Sequence, residues 1–257
     1  MKKYKIGFIG GGRITRIMLQ AFTNRSVGFD SIKVFEPDHV ASKRLRKEFP
    51  DVEITSSNIE PAQQDILFIA VHPPVVMEVL NQVKDKVPAE TAVISLAPKI
   101  TIEKIASVLA SIKIVRLIPN ATSFINRGYN PVCFNQSFPE EEKKPLLKFL
   151  KNLGKTIVIE EDKLEAYAIV SAMLPTYFWF QWKKMEEIAI KTGLEATESR
   201  KIIRSTLLRA IRLYYNSGLS PEEVIDLIPV KPIGENEMEI EAILENKLTG
   251  LYEKLKP

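Results

Sequence analysis

Short apolar runs and amphipathic segments alternate along the first 160 residues. Runs such as 66–71 (ILFIAV) have the length and composition of parallel strands that are buried on both faces. The predicted strands are 4–9, 31–35, 52–54, 66–71, 91–96, 112–118, 128–134 and 155–159, and the helices are 13–22, 41–49, 75–83, 101–109 and 137–153. Because strand–helix–strand units form right-handed parallel crossovers, this pattern predicts an α/β fold with a doubly wound, mostly parallel sheet.

From Lys163 onward the pattern predicts helices alone, including one over 175–192, one opened by a capping box at Ser220 and one over 239–255. The segment 177–182 (YFWFQW) is apolar nearly all round and needs cover that a small helical domain cannot supply. We therefore predict an N-terminal domain over 1–160 and an all-helical dimerisation domain over 161–257. The expected assembly is a homodimer or a higher oligomer of dimers.

A glycine cluster follows the first predicted strand and precedes the first helix. Gly10 can take the positive φ of a sharp turn, and Gly12 has no Cβ to block a pyrophosphate. The start of the following helix attracts phosphates through its unpaired N–H groups. This order predicts a Rossmann dinucleotide site, with a turn that binds no ligand as the alternative. Its predicted residues are Gly10, Gly11, Gly12, Arg13 and Ile14.

Glu36 ends the second predicted strand, at the place where a Rossmann domain carries the acid that bonds the ribose hydroxyls. A carboxylate there repels a 2′-phosphate, so the predicted cofactor is NAD(P)H with NADH mildly preferred. Lys43 and Arg44 lie slightly further on and could instead fold over a phosphate, and Glu36 could simply be a surface residue. Parallel strands end at one edge of a sheet, so segments 10–13, 36–38, 72–74, 97–99 and 119–122 should border one crevice.

Charge and cysteine content narrow the partners. The 36 basic and 32 acidic residues are mixed along the chain, which argues against nucleic acid or a membrane surface as a partner. Cys133 stands alone in an apolar strand, and His39 and His72 have no metal-ligand spacing, so neither a disulfide nor a metal is expected. With no signal peptide or apolar segment of bilayer length, we expect a cytoplasmic protein.

Longer motifs extend beyond the glycine turn. They are residues 7–12 (GFIGGG), 65–73 (DILFIAVHP), 94–97 (ISLA), 115–120 (VRLIPN) with Gly128, 171–175 (SAMLP) with Tyr177, and the helix around Thr206. Through them nearly the whole chain resembles the pyrroline-5-carboxylate reductase family, and Arg-x-x-Pro-Asn at 116–120 is the most specific. The resemblance implies hydride transfer from NAD(P)H to a cyclic imine, which makes proline, on a Rossmann domain joined to a helical dimerisation and substrate domain.

The resemblance also implies roles for particular residues. Glu36 and the glycine turn would hold the adenosine and pyrophosphate, and Asn120 would bond the nicotinamide carboxamide or its ribose. The ribose and nicotinamide would lie beside Ala70, Val71, His72 and Pro73. The candidate catalytic and substrate residues are Ser171, Thr206 and Lys231, with Tyr177 beside them. Simpler alternatives are a helix cap for His72, a packing residue for Thr206 and a surface lysine for Lys231.

The chain departs from the family at 229–236 (PVKPIGEN), where the family has a Ser-Pro-Gly-Gly-Thr-Thr loop whose amides and threonines hold the substrate. The prolines remove N–H donors, and Ile233 adds a Cβ. Three functions therefore stay open. They are an imino acid reductase, a dehydrogenase of the β-hydroxyacid type that acts on a different small acid, and a nucleotide-binding dimer without reductase activity.

Overall fold

One sheet carries the N-terminal part of the chain. The computed structural model describes residues 3–109 and 113–257. Its strands are β1 Tyr4–Ile9, β2 Phe29–Phe35, β3 Glu53–Thr55, β4 Ile66–Ile69, β5 Ala92–Ser95, β6 Ile114–Leu117, β7 Gly128–Phe134 and β8 Gly154–Val158. The order is β3-β2-β1-β4-β5-β6-β7-β8, and every neighbouring pair is parallel except β6 with β7. The predicted doubly wound, mostly parallel sheet is confirmed.

Helices connect the strands and make up the C-terminal part. They are α1 Arg13–Asn24, α2 His39–Glu48, α3 Ile59–Ala62, α4 Pro73–Val83, α5 Ile102–Ala106, α6 Glu140–Leu150, α7 Leu164–Tyr167, α8 Leu174–Lys191, α9 Ala196–Asn216, α10 Pro221–Asp226 and α11 Glu237–Leu255. A π-helical turn at Ala168–Ala172 lies between α7 and α8.

The sheet has a hydrophobic core on each face. Along β4, Ile66 and Phe68 pack into one core, whereas Leu67 and Ile69 pack into the other. All four side chains are at most 2% exposed. A strand that alternates between two cores has no polar face, which explains why its sequence reads as a continuous apolar run.

The predicted limits of one helix and one strand differ from those in the structure. The helix predicted over 137–153 begins later than expected, since α6 starts at Glu140, after Pro139, without a side-chain cap. The Ser137 hydroxyl instead accepts a hydrogen bond from Asn135 Nδ2 at 2.7 Å. The capping box at Ser220 is confirmed. The strand predicted over 112–118 is β6, and Ile112 lies outside the described residues.

Packing divides the chain into two compact units. One comprises the residues up to Met173 together with Tyr252–Pro257, and the other is Leu174–Leu251. Neither α8 nor α11 contains a buried residue, and Trp179 and Phe180 on α8 are 45% and 66% exposed. The domain limits 1–160 and 161–257 stay predictions. Across the described residues, no helix has both the length and the apolar character required to span a bilayer.

Candidate functional site

The carboxyl ends of the parallel strands border a crevice of about 580 Å³ in the first unit. Its lining includes residues 11–14, 38, 70–73, 96–98 and 119, together with Arg16, Val40, Ala41 and Arg44 from the first two helices. Each of the five strand-end segments contributes, so the prediction of one shared crevice is confirmed. Of the predicted cofactor residues, Gly11, Gly12, Arg13, Ile14, Ala70, Val71, His72 and Pro73 line it.

The three glycines of the turn differ in what surrounds them. Gly10 has a φ of +102°, and a Cβ there would lie 2.5 Å from the Ala70 carbonyl oxygen. A Cβ on Gly11 would lie 2.5 Å from Leu45 Cδ1, whereas a Cβ on Gly12 would meet no described atom within 4 Å. Gly10 and Gly11 are therefore required by the protein's own packing. Gly12 leaves open space in the crevice at the start of α1, which fits the close approach of a pyrophosphate.

Thr15 stabilises the glycine turn through a hydrogen bond. It stands where a third glycine or alanine is usual in such motifs, yet it is fully buried. Its hydroxyl donates to the Gly10 carbonyl oxygen at 2.6 Å. The hydroxyl thus satisfies an acceptor in the turn, and the larger side chain fits.

Glu36 joins the end of β2 to the glycine turn. Its Oε2 accepts a hydrogen bond from Gly11 N at 2.7 Å, and its Oε1 accepts one from Asp38 N at 2.9 Å. Asp38 in turn caps α2 by accepting from Ala41 N at 2.6 Å. These contacts hold a carboxylate beside the turn, where the ribose hydroxyls of a dinucleotide lie in a Rossmann domain.

Asn120 and Ser171 are brought together, a contact that their 51-residue separation hides in the sequence. Asn120 Nδ2 donates to the Ser171 carbonyl oxygen at 3.0 Å, and Ser171 Oγ lies 3.4 Å from the same nitrogen. Asn120 Oδ1 accepts from the Thr122 amide at 2.9 Å, and Ser171 Oγ donates to the Tyr129 carbonyl oxygen at 2.9 Å. Asn120 is 4% exposed, and its neighbour Pro119 lines the crevice. Direct contact of Asn120 with a cofactor stays a prediction.

The other predicted residues are more exposed. His72 precedes α4 and is exposed in the crevice lining, and its side chain makes no capping hydrogen bond to that helix. Thr206 is exposed on α9, and Lys231 Nζ lies 3.8 Å from Glu237 Oε2. Both belong to the second unit, and their roles stay predictions.

A buried ion network fixes the segment that follows β5. Sequence reasoning did not find this network. Arg116 on β6 is fully buried and donates to Glu161 at 2.9 Å and to Glu165 at 2.5 Å. Glu165 Oε1 also accepts from Lys99 N at 3.2 Å, where the backbone has a φ of +70°. The network therefore fixes the residues directly after Ala97 and Pro98, which line the crevice. An arginine within a buried strand was the available signal.

Cys133 is a strand residue of β7, as predicted, and is 2% exposed. Burial, with a smaller contribution from Glu161, raises the pKa of its thiol to about 12. The thiol is protonated at neutral pH and is not a nucleophile. Within residues 3–109 and 113–257, no cluster of His, Cys, Asp or Glu side chains could hold a metal ion.

Comparisons with known proteins identify relatives over both parts of the chain. A family model described as NADP oxidoreductase, coenzyme F420-dependent, matches residues 5–99. The pyrroline-5-carboxylate reductase of Escherichia coli K12 is 26% identical over 246 residues, which cover 95% of this chain and 90% of that protein. The chain is thus similar to pyrroline-5-carboxylate reductases over nearly its whole length.

Solved structures of the family share the fold. The enzyme from Streptococcus pyogenes has a TM-score of 0.82 at 19% identity, with 99% of this chain and 98% of that chain covered. The enzyme from Plasmodium falciparum, whose structure has NADP bound, has a TM-score of 0.77 at 21% identity, with 99% and 95% covered. Both share the fold of this chain over 99% of its length.

Proposed function

We propose that this protein is an NAD(P)H-dependent reductase that transfers a hydride to the C=N bond of pyrroline-5-carboxylate, a small cyclic imino acid, and so forms proline. The observation that carries the proposal is the open space at Gly12, where the start of α1 borders the crevice at the strand ends. Similarity to pyrroline-5-carboxylate reductases over 95% or more of the chain supports the choice of substrate.

Hydride transfer requires the protein to position the substrate and needs little covalent catalysis from it. The bound dinucleotide supplies the hydride and its two electrons. As a C–H bond forms at the imine carbon, the π electrons of the C=N bond move to nitrogen, and an iminium substrate thereby becomes a neutral secondary amine. The chain must hold that carbon at the crevice and exclude water.

Particular residues divide this work. The amides at the start of α1 bind the pyrophosphate, and Ala70, Val71, His72 and Pro73 form the wall beside the ribose and nicotinamide. Asn120 fixes Ser171, and we assign Ser171 and Thr206 to hydrogen bonds with the substrate. Lys231 supplies a cation for the substrate carboxylate, in place of the loop amides that the prolines at 229 and 232 remove.

We infer a mild preference for NADH, because the carboxylate held beside Gly11 repels a 2′-phosphate. Replacing Glu36 with glutamine removes the charge and keeps an acceptor oxygen for Gly11 N. The ratio of the NADPH to the NADH dissociation constant should then fall roughly tenfold, since a like charge at about 5 Å costs on the order of 1–2 kcal/mol. Calorimetric titration with both cofactors measures this, and an unchanged ratio would refute the preference.

We propose a homodimer formed through the helical part, or a higher oligomer of such dimers. Large apolar side chains are exposed along its helices, among them Phe180, Met185 and Ile188 on α8 and Ile243 on α11. Exposed apolar surface of this extent marks an association site. Sedimentation equilibrium should give at least twice the chain mass of 29.1 kDa, and a single 29.1 kDa species would contradict the proposal.

We also propose that the protein is located in the cytoplasm, which cell fractionation tests.

The segment 229–236 favours a second candidate, a dinucleotide-binding dimer without turnover, because exposed Ile233 and two prolines stand where the family binds substrate. A panel of pyrroline-5-carboxylate, other cyclic imino acids and 2-keto acids with NADH and NADPH decides between the candidates. The proposal expects cofactor oxidation with the imino acids. Turnover of keto acids alone favours the dehydrogenase, and cofactor binding without any turnover favours the second candidate.

A further inference from the structure

Two arginines that line the crevice share one acidic partner. Arg16 on α1 and Arg44 on α2 are both crevice residues. Arg16 donates to Glu48 through Nε at 2.8 Å and through Nη2 at 3.0 Å, and Arg44 donates through Nε at 2.9 Å. Glu48, on the last turn of α2, therefore holds two guanidinium groups with a single carboxylate.

The charged residues that line this end of the crevice, together with the carboxylates that bond its lining residues, are three cations and three anions, and Glu48 is one of the anions. The cations are Arg13, Arg16 and Arg44, and the anions are Glu36, Asp38 and Glu48. Hydrogen bonds from Arg16 and, with a smaller effect, from Arg44 lower the pKa of Glu48. Its carboxylate is therefore ionised at neutral pH. Removing this one charge would leave an excess of positive charge on two crevice arginines.

Guanidinium groups are the protein cations best suited to phosphate, because their N–H groups can donate in pairs to its oxygens. A Rossmann domain that accepts NADP(H) places an arginine near the 2′-phosphate, close to the end of the second strand. Arg44, on the helix that follows β2, and Arg16 beside it are the crevice arginines closest to this description. Their hydrogen bonds to Glu48 compete with such a role.

We propose that Glu48 is a specificity-determining residue, which acts by holding Arg16 and Arg44 against α2 and so withholding them from the 2′-phosphate of NADP(H). This rests on the dinucleotide site proposed above. Glu36 disfavours the phosphate by direct repulsion, whereas Glu48 acts through its two arginines. A merely structural link between α1 and α2 would instead affect both cofactors alike.

The test uses Glu48→Gln in the full-length protein, with calorimetric titration of NADH and NADPH at low and high salt. Exposed charge interactions of this kind change affinity by about fivefold, so we expect the NADPH dissociation constant to fall about fivefold and that of NADH to change less than about twofold. The gain should shrink at high salt. A matched control is Glu53→Gln, which removes an exposed carboxylate paired with Lys33 outside the crevice lining and should leave the ratio unchanged.

A double variant tests whether the change in NADPH affinity depends on the arginines. In an Arg44→Gln background, Glu48→Gln should give a smaller gain for NADPH, because one of the two released cations is absent. An unchanged ratio in Glu48→Gln, or an equal loss for both cofactors, overturns the inference while leaving the proposed function standing. If the wild-type protein binds neither NADH nor NADPH, the proposed function itself is overturned.

Discussion

Replacing Gly12 with valine should weaken NADH binding roughly a hundredfold, because the new side chain fills the space through which a pyrophosphate reaches the amides of α1. The protein itself should tolerate the change. Apart from its chain neighbours, no described atom lies within 4 Å of the added Cβ, and the φ of −73° at Gly12 is outside the left-handed region that favours glycine. We expect the free energy of unfolding to change by less than about 1 kcal/mol.

Gly11→Val is the contrasting variant. Its Cβ would lie 2.5 Å from Leu45 Cδ1 and 2.8 Å from Glu36 Cβ, so it should lose stability as well as binding. Calorimetric titration and urea unfolding on both variants separate the two effects. If Gly12→Val bound NADH as tightly as the wild-type protein, the pyrophosphate could not lie at this turn.

Replacing Arg116 with leucine should lower the free energy of unfolding by about 3–5 kcal/mol. The loss follows because Glu165, whose side chain is 2% exposed, would be left in the interior without its cationic partner. The Lys99 turn depends on the same carboxylate, so the crevice should also lose order near Ala97 and Pro98. Urea unfolding measures the change in stability.

Two further variants test the cause. Arg16→Leu removes a partly exposed ion pair of the same type and should cost less than about 1 kcal/mol. In the double variant Arg116→Leu with Glu165→Leu, stability should be largely recovered, because the carboxylate that loses its cation, Glu161, is 32% exposed and stays hydrated. A loss below about 1 kcal/mol in Arg116→Leu would show that the network does not stabilise the fold.

The sheet could be predicted because its signal is local and repeated. Each buried strand is a run of apolar residues with no polar face, and each crossover helix has its own periodicity. The glycine turn could be located for the same reason, since strand, turn and helix are consecutive. Knowing that parallel strands end together was then enough to predict the shared crevice.

The contacts that refine the crevice could not be predicted, because they join residues that are far apart in sequence. Arg116 lies 49 residues from Glu165, and Arg16 lies 32 residues from Glu48. Periodicity identifies which face of an element is buried, but it does not identify which charged side chain meets which partner. The predicted start of the helix over 137–153 failed for a local reason, since the Ser137 hydroxyl accepts a hydrogen bond from Asn135 instead of capping the helix.

The most direct test of the proposed reaction follows the hydride. NADH that carries deuterium at both C4 positions of the nicotinamide is incubated with pyrroline-5-carboxylate and the purified full-length protein, and the product is analysed by mass spectrometry and NMR. The account predicts proline with one deuterium at the former imine carbon, and Gly12→Val should form far less of it. Failure to form labelled proline by a protein that binds NADH would contradict the account.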